Sequence, residues 1–179
     1  MVMAPRTDRS GGSAPAVVRL LASLFGREAR CTIWYMNRFF ETTRHIDAPT
    51  QSVWEVLFDV ARWPEWTPTI DSVERLDDGP FHVGSRARVR QPKLPRAVWE
   101  VTEVVDGRSF TWVAKGPGMR TVARHEVVAE ASGSTVTLSI EQTGPLGAVA
   151  GMILGRLTQR YIDLEAESLG KRVTRAPAA

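Results

Sequence analysis

The chain reads as an α+β domain, with one seven-stranded antiparallel sheet followed by a long C-terminal helix. Three observations predict it. Residues 70–142 carry strand-like runs rich in Val, Thr, Phe and Trp. Short turn signals join these runs, among them Asp106-Gly107 and Ser132-Gly133, which by composition make hairpins and therefore antiparallel neighbours. From Leu146 to Arg172 the apolar period changes to steps of three and four, the signature of a helical face.

Taken in order, Arg38 to Ile46 is the first strand, ending at Asp47-Ala48-Pro49. Pro49 suits the first position of a helix, and Val53, Trp54, Leu57 and Phe58 form its apolar face. That helix should stop near Arg62-Trp63, because the residue before Pro64 is biased out of the helical region. Six further strands are expected at Ile70 to Leu76, Ser85 to Gln91, Ala97 to Val105, Ser109 to Ala114, Arg120 to Glu130 and Ser134 to Gln142. In the last helix Leu146, Val149, Ile153, Leu157, Tyr161 and Leu164 form the apolar stripe. Gly147, Gly151 and Gly155 lie four apart on another flank. Each interior glycine costs up to about 1 kcal/mol against alanine, so the row asks for either close approach to the sheet or a cavity left unfilled.

Composition sets limits on function. The 179 residues are 43% apolar, enough for one core, with a single Cys31 that cannot form an internal disulfide. No run reaches the roughly 20 apolar residues of a membrane span, so a cytoplasmic protein without stable membrane insertion is expected. The formal charge of +3 comes from residues 1–35, where five arginines face Asp8 and Glu28; residues 36–179 are formally neutral. A neutral body argues against nucleic acid as a partner. Residues 1–35 read as a disordered or weakly helical leader, with an alternative start at Met36; 36–175 form the domain and 176–179 a tail.

The opening IDAPTQSVWEVLFDVARWPEW, the hairpin WEVTEVVDGRSFTW and the closing TGPLGAVAGMILGRLTQRYIDLEAESL resemble the polyketide cyclase/dehydrase and lipid-transport family of the SRPBCC, START-like superfamily. The resemblance covers about residues 38–172. It implies a helix-grip fold in which the sheet wraps the long helix around a hydrophobic cavity; the family contains carriers as well as cyclases.

Strand alternation splits each run into two faces. Arg86, Arg88 and Arg90 belong on a solvated outer face, with Ala87 and Val89 inside. Trp99 and Val101, then Phe110, Trp112 and Ala114, form inner rows that serve equally as core or as pocket wall. In the sixth strand the ion-forming Arg124 and Glu126 turn outward, which sends Thr121 and His125 inward. A buried histidine is either a neutral core residue or a group that orients a ligand or moves a proton. Of Glu100 and Glu103, alternation turns Glu103 inward, near the strand's end, as a rim carboxylate. Trp63 and Trp66 share a side if they span one helical turn, with Trp66 at the cavity mouth.

The first functional reading is a binder of a hydrophobic small molecule, such as a lipid, isoprenoid or polyketide-like ring system, needing no cofactor and no metal. Its ligand-binding residues are expected to be Trp66, Trp99, Val101, Phe110, Trp112, Thr121 and His125 on the sheet side, with Val149, Ile153, Leu157 and Tyr161 on the helix. The alternatives are an aromatase/cyclase or dehydratase using His125 as acid/base, and a module that acts on a macromolecular partner. A second ionisable side chain meeting His125 separates the enzyme from the carrier.

Overall fold

The computed structural model describes residues 38–175. The leader readings, Cys31 and the tail lie outside the described residues. The chain runs β1 (Arg38–Ile46), α1 (Thr50–Phe58), a 3-10 turn (Val60–Glu65), β2 (Ser72–Arg75), β3 (Arg86–Arg90), β4 (Ala97–Val105), β5 (Ser109–Gly116), β6 (Met119–Ala129), β7 (Ser134–Thr143) and α2 (Pro145–Arg175). The seven strands form one antiparallel sheet in the order β1-β7-β6-β5-β4-β3-β2. Every neighbour from β2 to β7 is consecutive in the chain, so only the β1–β2 link has to leave the sheet, and it does so through α1 and the 3-10 turn.

α1 is shorter than the sequence suggests. Helical hydrogen bonding ends at Phe58, where Asp59 adopts φ −81°, ψ 69°. The chain then tightens into the 3-10 turn, which accommodates Pro64 near its end. Pro49 sits one place earlier than expected, as an extended N-cap residue. At the other side of this corner Gly133 has φ +95°, and a Cβ there would meet the Ile46 carbonyl oxygen at 2.4 Å. Only glycine fits, and the adjacent Ser134 Oγ donates to the Ala48 carbonyl at 2.6 Å, fastening the β6–β7 hairpin to the β1–α1 loop.

α2 packs along β1 and β7, and the glycine row is the reason it lies close. A Cβ on Gly151 would sit 2.4 Å from Arg38 Cγ, and one on Gly155 would sit 3.3 Å from the Phe40 ring. Close approach therefore accounts for these two glycines. It also corrects the expected stripe. Ile153 is two residues from Gly151, about 200° around the helix, so it faces away from β1 and is 74% exposed. The deeply buried helix positions are instead Ile162, Ala166, Leu169 and Val173.

Candidate functional site

Strand register assembles the inner face in rows. Phe110, His125 and Leu138 pair across β5, β6 and β7, then Trp112, Ala123 and Ile140, then Ala114, Thr121 and Gln142. β4 adds Val104 opposite Phe110, Val101 opposite Trp112 and Trp99 opposite Ala114. The register shifts between Val101 and Glu103, a bulge that lets Val104 face inward and turns Glu103 outward. Glu103 is therefore no rim carboxylate of the interior: it pairs with Arg124 at 3.6 Å and accepts a hydrogen bond from Thr111 on the outer face. Strict alternation carried through the bulge is what misplaced it. Arg88 and Arg90 meet Glu74 and Asp71 on that same outer face.

The first row is closed by rings. His125 stacks on Phe110 with centroids 4.5 Å apart and planes 5° from parallel. Trp63 stands 5.2 Å from His125 and 5.3 Å from Trp112. Trp63 donates its indole N–H to the Leu57 carbonyl at 2.9 Å and is fully buried, which makes it the plug of this end. Trp66, half-buried, meets Trp63 edge-on at 5.9 Å, as expected of two residues spanning one turn.

Toward the other end the interior loosens. Ala114, Ile140 and Gln142 face inward yet are only half-buried, whereas Phe110 and Leu138 are sealed. The side chains there are small or slender: Ala87, Ala97, Ala114, Thr121 and Ala123. Buried polar atoms without a protein partner lie along this interior, at Nδ1 of His125, the indole nitrogens of Trp112 and Trp66, and Oε1 of Gln142. Buried polar groups are normally hydrogen-bonded, so four such atoms around one interior call for a partner. By contrast Tyr161 has a structural partner. Its hydroxyl donates to the Pro92 carbonyl at 2.5 Å, tying the middle of α2 to the β3–β4 loop, and burial pushes the phenol's pKa up. Val149 and Leu157 are half-buried on α2, while Ile153 stays outside.

One ionisable side chain beside His125 escaped the sequence reading. Glu165 on α2 is 7% exposed, and its Oε1 lies 3.4 Å from His125 Nε2. In Asp-Leu-Glu-Ala-Glu-Ser it looks like part of a solvated face. The available signal was its place beside the stripe Ile162, Ala166, Leu169 and Val173, which α2 turns to the core.

Other clusters serve the fold. Ser85, His82 and Asp77 come together in the β2–β3 connection, but Ser85 Oγ donates to Asp77 Oδ2 at 2.7 Å and is buried, while Asp77 also accepts from Arg75 and from the Arg86 N–H. That is a loop clasp, without a serine free to attack. A groove of about 510 Å³, lined by Trp54, Phe58 and Phe81, lies outside the interior, between α1 and the β2–β3 loop. Among the described residues no group of His, Cys, Asp and Glu has metal-holding geometry.

The family model described as polyketide cyclase/dehydrase and lipid transport matches residues 39–174. The chain belongs to this family. Among solved structures it is similar to the Zhui aromatase/cyclase from Streptomyces sp. R1128, at 18% identity over 80% of this chain and 98% of that one, with a TM-score of 0.65. It is also similar to norcoclaurine synthase from Thalictrum flavum in complex with dopamine and hydroxybenzaldehyde, at 16% identity over 87% and 96%, with a TM-score of 0.66. A protein from Thermus thermophilus matches at 17% identity over 79% and 100%, with the same TM-score. At these identities the likeness establishes the helix-grip fold alone. No curated protein matches the chain by sequence. Membership of the family fits small-molecule binding or cyclase chemistry as a general class.

Proposed function

We propose that this family member binds a hydrophobic, ring-bearing small molecule with at least one hydrogen-bond acceptor, held between the inner sheet face and α2. The carrying observation is the Trp112 indole N–H, 3% exposed and without a protein partner. A buried unsatisfied donor costs about 1–3 kcal/mol, and a ligand carbonyl or hydroxyl would remove that penalty. The apolar walls of Trp99, Val101 and Trp112 suit a lipid, isoprenoid or polyketide-like ring system, with Trp66, Thr121 and Gln142 as further contacts. Native mass spectrometry of gently purified protein, followed by titration of the released compound, tests the reading. Trp112→Phe removes the donor and leaves an aromatic side chain, and it should weaken binding about tenfold with little change in unfolding midpoint. A ligand-free preparation that also ignores a panel of lipids and aromatic polyketides would sink the proposal.

One observation favours a second reading, acid–base cyclisation or dehydration. Glu165 is the second ionisable group at His125, and both side chains are more than nine-tenths buried. A carboxylate on Nε2 would hold the imidazole ring in one orientation and tautomer, leaving Nδ1 to exchange a proton with a bound substrate. In that role His125 is catalytic and Glu165 positions it. Turnover of a linear poly-β-carbonyl substrate should then fall about 10²–10⁴-fold in His125→Gln, and Glu165→Gln should lower kcat and alter its pH profile with KM little changed. Ligand binding by the wild type with no product formed would leave the carrier reading alone.

A further inference from the structure

At the end of the sheet where the interior loosens, three segments meet: the β3–β4 loop, the β5–β6 hairpin and the start of α2. The pairing of Gly116 with Met119 and the bond from the Leu146 N–H to the Gly118 carbonyl join the hairpin to α2. The Tyr161–Pro92 bond brings the middle of α2 to the β3–β4 loop. These segments contain no carboxylate: 91–99, 112–123 and 143–162 are free of Asp and Glu. They do contain Lys93, Arg96, Lys115, Arg120, Arg156 and Arg160, and among the described residues none of the six is in an ion pair. Elsewhere most cations are matched, as in Arg62–Glu65, Arg75–Asp77, Arg88–Glu74 and Lys171–Glu167.

Two arrangements within this set work against the fold. Lys115 and Arg120 are direct cross-strand partners in the hairpin, where like charges are destabilising. Arg156 and Arg160 are four apart on exposed helix, where like charges are destabilising too. Beside them Met152 and Ile153 are 60% and 74% exposed on the side of α2 turned from β1. Unpaired cations around exposed long apolar side chains match one surface, negatively charged and apolar just beneath. We propose that this end of the molecule docks on the anionic face of a lipid bilayer, with Met152 and Ile153 entering the headgroup–acyl boundary and the six cations on the headgroups. No described helix is long and apolar enough to cross a membrane, so the attachment is peripheral. The proposal goes beyond the binding reading and does not require it.

Co-sedimentation of the full chain with phosphatidylcholine vesicles, with and without about 30 mol% phosphatidylglycerol, tests it. Binding is expected to the anionic vesicles, released by salt. The variant K115Q/R120Q/R156Q/R160Q should bind at least a hundredfold more weakly, at several-fold per cation, with an unfolding midpoint equal to or above wild type. Ile153→Asp, with all cations kept, should weaken binding at least tenfold. Equal partition onto neutral and anionic vesicles overturns the proposal. So does undiminished binding by the four-charge variant, which would assign attachment to the arginines of the leader. A lowered midpoint in that variant overturns it as well, because the cations would then serve the fold.

Discussion

Trp63 and Trp66 sit three residues apart on the same turn and have different duties. Trp63 is buried with its N–H on the Leu57 carbonyl, so Trp63→Ala removes both a large side chain and a bond, at about 3–5 kcal/mol. Trp66 is half-buried with its N–H unpaired. Trp66→Ala should therefore reduce ligand affinity, read by titration, more than stability, read by urea unfolding; the reverse order would remove Trp66 from the site. Asp77 gives a residue-scale test of the fold. The Arg75 guanidinium, with help from the Ser85 hydroxyl and the Arg86 N–H, holds its carboxyl well below the usual carboxylate range. A depressed pKa contributes stability above the unfolded-state value, about 4, and loses it as pH falls from there toward the folded value. Asp77→Asn should accordingly be less stable than wild type at pH 7, and the gap in unfolding free energy should narrow below about pH 4. A gap that stays constant from pH 7 to pH 3 would contradict the ion-pair account. His125 pointing inward was legible from Arg124 and Glu126 beside it. Its partner Glu165 was not, because a carboxylate in a charged run gives no sign of burial until the helix is docked.

At the scale of elements, the strands and both helices were readable because alternation and the 3.6-residue period are local consequences of backbone geometry. Local reading failed where an element departs from its ideal form. The bulge after Val101 reversed Glu103, and the break at Asp59 shortened α1. In α2 the apolar stripe does not all turn inward: Ile153 lies outside, and Gly151 and Gly155 set the contact with β1. Alanine substitutions separate the glycines. Gly151→Ala gains helix propensity but drives a Cβ into the root of the Arg38 side chain, so a net loss of about 1–3 kcal/mol is expected. At Gly170 the nearest atom is Ile46 Cγ1 at 3.6 Å, an ordinary contact, and Gly170→Ala should gain about 0.5–1 kcal/mol. Thermal and urea unfolding of the two variants decide it; a stabilised Gly151→Ala would mean that close packing on β1 is not the glycine's purpose.

Over the whole molecule, the sheet joins a sealed end to an open one. Phe110, His125 and Trp63 close the α1 end, and small, half-buried side chains mark the other. If a ligand fills that half, it stabilises the native state by mass action, about 2.7 kcal/mol at a hundredfold excess over Kd. Differential scanning calorimetry with the co-purified compound should show the midpoint rising with ligand concentration, and a concentration-independent midpoint would place the compound outside the folded interior. The sequence by itself determined the fold class, the order of elements, the family and the inward set of Trp99, Trp112, Thr121 and His125, since these follow from local periodicity and from motifs contiguous in the chain. Only the tertiary structure decided that Glu165 meets His125 across about 40 residues of chain and that Ile153 lies outside. Such facts depend on how α2 is rotated and seated on the sheet, and that docking is fixed by packing between segments far apart in sequence.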